Sequence, residues 1–218
     1  ANIGMYTNAT AAGTNPLENA GTIELGKYGI GMYGWDLDTS GDITVGDGGV
    51  AIYSQGGDVN MAASGTKKIK VGKDARGILV VGDGQNVTAT NYEYEIGDGS
   101  YGFVNRNSGS TGNTFTISGG KATLGNKGKF IYSSDTKGNI TNSTDMEMLS
   151  TATDGENYGI YASGNITNLA DMDFSSGVGN VGILNVRDIG STTSKAINGQ
   201  AGAASQPTIT VGKSDASN

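Results

Sequence analysis

A short pattern returns along this chain with a fixed internal spacing, and that spacing limits the folds open to it. Its first half is an alternating tetrad closed by glycine: Ile23-Glu24-Leu25-Gly26, Ile43-Thr44-Val45-Gly46, Ile69-Lys70-Val71-Gly72, Tyr94-Glu95-Ile96-Gly97, Ala122-Thr123-Leu124-Gly125 and Ile209-Thr210-Val211-Gly212. Mostly large apolar residues hold the first and third places and a polar residue the second. That is the period of two of a strand with one buried face. The second half reads Gly31-Met32-Tyr33, Ala51-Ile52-Tyr53, Gly77-Ile78-Leu79, Gly102-Phe103-Val104 and Phe130-Ile131-Tyr132. In all five copies it begins five residues after the tetrad's glycine. Further copies stand at Gly4-Met5-Tyr6, Gly159-Ile160-Tyr161 and Gly182-Ile183-Leu184, where the preceding tetrad is degenerate or missing.

The middle residue of this second half is Met5, Met32, Ile52, Ile78, Phe103, Ile131, Ile160 or Ile183, always large and apolar, so the column should point inward. The copies span positions 4 to 182 in seven steps, a mean of about 25 residues. A third, weaker strand lies between copies, as in Asp58-Val59-Asn60-Met61, Asn86-Val87-Thr88, Thr114-Phe115-Thr116-Ile117, Gly138-Asn139-Ile140-Thr141-Asn142 and Gly164-Asn165-Ile166-Thr167-Asn168. Three short strands in such a period predict one coil of a solenoid. The expected fold is all-β: a right-handed parallel β-helix of about eight coils of about 25 residues, filling 1–218 as one segment. At about 4.8 Å per coil the rod would be roughly 40 Å long. Propeller blades need roughly 40–50 residues, and the Leu/Asn signature of leucine-rich repeats is absent. The longest departures from the pattern are 7–20, 142–157 and 186–206, expected as loop excursions. Met146, Glu147, Met148 and Leu149 in the second of these suggest a small lobe or short helix.

Composition then narrows function. The 38 glycines come with only 2 prolines and no G-X-Y period, which excludes collagen. The net charge of −7 argues against a nucleic-acid partner, which requires a basic face. Cysteine and histidine are both absent, so Ser-His-Asp triads, Cys-His pairs and the usual zinc sites are excluded, and an enzyme is not expected. A β-helical polysaccharide lyase or glycosidase would need a basic residue beside calcium, or paired carboxylates in a cleft. The arginines are Arg76, Arg106 and Arg187, and no acids cluster near them in the sequence. Their plain reading is surface solubility.

One stretch has metal-loop spacing. Asp36, Asp38, Ser40 and Asp42, with Asp47 at the twelfth place, resemble a calcium loop, with Gly41 at the sixth place. The competing reading is an acidic turn between coils, because Ile43, Val45 and Gly46 already belong to a strand, and on that reading no cofactor is needed. Gly46-Asp47-Gly48-Gly49, Gly82-Asp83-Gly84 and Gly97-Asp98-Gly99 are similar to a nonapeptide calcium repeat but lack its period, and read as corners. Tyr6, Tyr33, Tyr53, Tyr132 and Tyr161 share a column beside the inward one and should face outward. They would either stack on one another across coils or bind sugar rings. Tyr33, Tyr53 and Trp35, the single tryptophan, are the candidate ligand contacts.

The strings AGTIELGKYGIGMYG, GDITVGDGGVAIYS and GENYGIYASGNITNLADMDFS resemble passenger repeats of very large type V autotransporters, especially fusobacterial adhesins. The resemblance covers nearly the whole chain, and the pairing at 25–33 is its most specific element. It implies a β-helical rod on the bacterial outer surface, carried by an outer-membrane barrel that is not in this sequence. It implies attachment to glycans or proteins of host cells or other bacteria. Both ends read as cut edges of a longer chain, and the absent cysteine agrees with export through the oxidising periplasm. A pure spacer, with binding elsewhere in the parent protein, is the other non-enzymatic expectation.

Overall fold

The computed structural model describes residues 1–11, 13, 16–150, 152–186 and 194–212. They form an all-β parallel solenoid of about seven turns, about 26 residues each, with no helix. Eight strand segments bound those seven turns, so eight copies of the motif make one turn fewer than a count of copies suggests. At about 4.8 Å per turn the rod is roughly 34 Å long.

Three stacks of parallel strands form its faces. The first is built from Ile3–Tyr6, the starts of Ile30–Thr39 and Val50–Val71, then Arg76–Val80, Tyr101–Asn105, Lys129–Ser133, Tyr158–Ala162 and Val181–Asn185. Its register aligns Met5, Met32, Ile52, Ile78, Phe103, Ile131, Ile160 and Ile183, the column expected from the sequence. Met32 to Ile160 are fully buried in it. The second stack aligns Leu17, Leu37, Val59, Val87, Phe115, Ile140, Ile166 and Ala196. The third aligns Ile23, Ile43, Ile69, Tyr94, Ala122, Met146, Met172 and Ile209. Side chains from all three meet in one continuous core. Phe103 packs there against Tyr94, Phe115 and Phe130, with ring centroids 5.4, 6.2 and 5.5 Å away. The Tyr94 hydroxyl is buried in this core without a hydrogen-bond partner.

The strands are less separate than expected. Val50–Val71 runs through all three faces without leaving the ladder, bending where the register shifts between Ala62 and Lys67. The excursions also shrink. Met146, Glu147 and Met148 form no lobe or helix; they end the strand Asn139–Met148 in the third stack. Leu17–Asn19 and Ala196–Asn198 are second-stack strands within the other two excursions. Residues 12, 14, 15, 151 and 187–193 of these excursions, Arg187 among them, lie outside the described residues.

The five-residue step has a simple cause. Between the third and first stacks the chain makes a four-residue turn, closed by Gly29 N to Gly26 O (3.2 Å), Gly49 N to Gly46 O (3.1 Å), Ser100 N to Gly97 O (3.1 Å) and Gly128 N to Gly125 O (3.2 Å). The third residue of each turn has positive φ, from Gly48 (67°) and Gly99 (66°) to Tyr28 (58°) and Lys127 (59°). A type II turn demands that geometry at this place, and glycine meets it without steric cost. The Gly-Asp clusters therefore do lie at corners. Their acids serve the next coil: Asp47 Oδ1 accepts Lys73 N at 3.0 Å and Asp98 Oδ1 accepts Asn126 N at 2.9 Å.

Buried polar ladders hold the other corners. Asn142 Nδ2 donates to Asn168 Oδ1 (2.9 Å) and Asn168 Nδ2 to Asn198 Oδ1 (2.8 Å). Asp135, 3% exposed, accepts from Asn105 Nδ2 (3.1 Å), Asn107 Nδ2 (3.2 Å), Asn113 N (2.7 Å) and Lys137 N (3.0 Å). A buried carboxylate survives without a cation when donors converge on it in this way.

Candidate interaction face

Charge is distributed unequally among the faces. All seven ion pairs of the described residues lie on the third face or at the corner after it. The shortest are Lys121–Glu147 (2.8 Å) and Lys70–Glu95 (2.9 Å). Burial raises Glu95, but hydrogen bonds and charge from Lys70 and Lys68 outweigh it and leave the carboxyl below its usual range.

The first face is different. Residues on either side of its inward pair point out, forming two columns along the rod. One carries Ile3, Ile30, Val50, Arg76, Tyr101, Lys129, Tyr158 and Val181. The other carries Tyr6, Tyr33, Tyr53, Leu79, Val104, Tyr132, Tyr161 and Leu184. Neither column holds an Asp or Glu, in a chain that has 21 of them. Beyond the second column stand Val81, Arg106, Ser134, Ser163 and Val186, again without an acid. Arg76, Arg106 and Lys129 have no carboxylate partner among the described residues.

The tyrosines face outward, as expected, and they also stack. Tyr6 and Tyr33 lie parallel at 5.5 Å, as do Tyr132 and Tyr161; Tyr33 meets Tyr53 edge-on at 5.1 Å. Each ring is half-buried by its neighbours, except Tyr6 at the end, 58% exposed. Trp35 is half-buried too, its ring lying over Gly56 of the next coil, where a Cβ would collide with it. Tyr33, Tyr53 and Trp35 thus sit together on the aliphatic half of this face.

The other half combines rings with cations. Arg76 lies 6.0 Å from the centre of the Tyr101 ring, and the Lys129 ammonium 5.3 Å from Tyr101 and 5.1 Å from Tyr158. Burial between those rings pushes the Lys129 amine down from its ordinary value. Arg76, Tyr101, Val104, Arg106 and Tyr132 line one shallow cleft of about 210 Å³. The sequence reading placed Arg76 and Arg106 on the surface for solubility and missed Tyr101, Lys129 and Tyr158. A register alignment of the position two before each inward residue is the signal that finds them.

The calcium-like loop is drawn out rather than closed. Asp36 is a corner residue whose Oδ1 accepts Asp58 N (3.1 Å) and whose Oδ2 accepts Gly13 N (2.6 Å). Asp38 belongs to the second stack, and Asp42 and Asp47 accept Lys68 N (2.8 Å) and Lys73 N (3.0 Å). Ser40 lines a cleft of about 200 Å³ with Glu18 and Asp38. Burial there, then the charges of Glu18 and Asp36, raises the Asp38 carboxyl above its ordinary value. No group of three carboxylates close enough for a metal ion occurs among the described residues.

Asp83 shows the opposite electrostatics. It accepts from Asn107 Nδ2 (2.7 Å) and from the backbone N–H of Ser110 (2.9 Å), Thr111 (3.1 Å) and Gly112 (2.9 Å). Those donors, Asn107 first, hold its carboxyl far below the ordinary 3.8. A depressed carboxyl stabilises the fold above its unfolded pKa and loses that contribution as pH falls through the folded one. Thermal melts should therefore hold steady above about pH 4 and fall progressively below it. Asp83→Asn should flatten that fall; an unchanged acid limb in the variant would place the sensitivity elsewhere.

Comparison with family models, with curated proteins and with solved structures finds no match for this chain. Fold and face therefore define it as a parallel β-solenoid with one acid-free, aromatic and basic side.

Proposed function

We propose that this chain is a rod segment of a surface-exposed bacterial adhesin of the type V autotransporter passenger kind. Its chemistry is non-covalent attachment, with no catalytic step. The observation that carries this reading is the first face. An acidic rod leaves a full side free of carboxylates and lines it with tyrosines, aliphatic residues and unpaired cations. Solubility alone favours mixed charges on every face, as the third face has them. Aromatic and arginine side chains are the residues most enriched where proteins bind. The sequence resemblance described above supports the cell-surface setting and a glycan or protein on another cell as the partner. The cleft between Arg76 and Arg106 is lined by no carboxylate, which speaks against a glycosidase there.

The test is saturable binding of the labelled fragment to host cells and to neighbouring bacteria. Tyr132→Ala with Tyr161→Ala should lower binding at least tenfold, while Lys70→Gln on the third face should leave it unchanged. Equal saturable binding by all variants overturns the first face as the contact surface, and unsaturable signal on every cell type makes the segment a spacer.

A further inference from the structure

Resting on the reading that the first face is the contact surface, we propose that its ligand is an acidic saccharide. Its anionic group sits between Arg76 and Arg106, and its ring lies on Tyr101 and Tyr132.

Four observations converge on that chemistry. Arg76 and Arg106 belong to consecutive coils, the first on the column of Tyr101 and the second one outward position beyond Val104. They therefore flank a single cleft from two sides. Neither guanidinium is neutralised by a carboxylate among the described residues, so an incoming anion does not have to displace a protein partner. A planar guanidinium grips carboxylate or sulfate oxygens through two parallel N–H bonds, which a lysine cannot do.

Second, the floor is aromatic. Tyr101 and Tyr132 meet edge-on at 5.6 Å, and Val104 stands next to Tyr132 on the second column. Such a floor offers π-surface to the C–H face of a sugar ring and a phenol at its margin for hydroxyl groups. Third, the cleft is small. Its volume of about 210 Å³ lies below the roughly 300–1,000 Å³ of pockets that engulf a drug-sized ligand. It suits one sugar unit of a chain that continues along the surface. Fourth, the next cation on the same column, Lys129, lies two coils from Arg76, roughly 10 Å away. It stands between Tyr101 and Tyr158 and provides for a second anionic unit along the rod. An acidic peptide would also meet the cations, but the strands at the cleft, Arg76–Val80 and Tyr101–Asn105, are already paired on both sides and offer it no strand edge there, and the cleft is shallow.

The experiment is equilibrium binding of the purified chain to three polysaccharides of matched length: a uronate polymer, a sulfated polymer and a neutral one, with an acidic peptide as a fourth probe. Tighter binding of the uronate or the sulfated polymer than of the neutral one, weakening as salt rises, is expected; the ranking of the two names the acid. Arg76→Gln with Arg106→Gln should cost that binding at least tenfold and remove most of its salt dependence. Arg76→Lys with Arg106→Lys should restore only part of it. Lys68→Gln with Lys70→Gln serves as a control of equal charge change on the third face. Equal affinity for neutral and acidic polymers, retention of affinity in the double Gln variant, or preference for the peptide overturns the proposal while leaving attachment through this face standing. Failure to bind any probe, combined with no binding to cells, overturns both.

Discussion

Asp135→Ala should destabilise the rod by about 3–5 kcal/mol, the largest loss expected from any polar substitution in this chain. The carboxylate is buried and accepts from two backbone amides and two asparagine side chains. Alanine would leave the buried donors Asn113 N and Asn105 Nδ2 without an acceptor and would turn Lys137 N over to water. Each buried orphan donor costs about 1–3 kcal/mol. In a chain of this size, about 1 kcal/mol corresponds to roughly 2–4 °C in melting temperature, so a drop of about 10 °C is expected. Hydrogen exchange gives the sharper readout, because coils of a solenoid depend mainly on their neighbours. Protection should vanish first around residues 105–113 and 135–139. Asp135→Asn retains one acceptor oxygen and should cost less than half as much. A melt unchanged by the Ala variant would show that water reaches these donors and replaces the carboxylate.

The second large effect is expected at Phe103→Ala. This ring is fully buried where the three stacks meet and touches three other aromatic rings. Phe→Ala substitutions in cores cost about 3–5 kcal/mol, since lost transfer energy adds to the cavity left behind. Parallel strands pinned at 4.8 Å by backbone hydrogen bonds cannot close over such a hole, so the upper part of that range applies. Val81→Ala, at an exposed position beyond the second column, should cost about 1 kcal/mol or less. Similar melting curves for the two variants would contradict the assignment of Phe103 to the interior.

How far the sequence reveals this molecule depends on whether a feature lies along the chain or across it. The inward column from Met5 to Ile183 repeats one residue type in one local setting, so period and identity both announce it. The third-stack strands at Met146–Met148 and Met172–Phe174 carry the same alternation but escape notice. Methionine and aspartate replace the β-branched residues that mark a strand, and the closing glycine is replaced by Leu149 and Ser175. The interaction face lies across the chain. Arg76, Tyr101, Lys129 and Tyr158 are of three residue types and stand 25 to 29 residues apart, so only the register brings them together. The calcium-like spacing is drawn out for the converse reason. It is judged along the chain as though the loop could close, while pairing of Leu37 with Val59 and of Ile43 with Ile69 stretches it across two faces.

The turns between faces also govern how such a rod can change over evolutionary time. Successive first-stack strands begin as little as 20 residues apart, from Ile30 to Val50, and as much as 29, from Lys129 to Tyr158, yet the columns stay in line. Within a strand, inserting one residue would turn every following side chain to the wrong face. At a corner the same insertion changes only the size of a loop. Length variation in this molecule is therefore quantised: the strands admit whole coils gained or lost by duplication or deletion, and the corners accept residues singly. A lineage can lengthen its reach or decorate its edges without disturbing the interior, and each duplicated coil arrives with its outward residues already in line with those on either side.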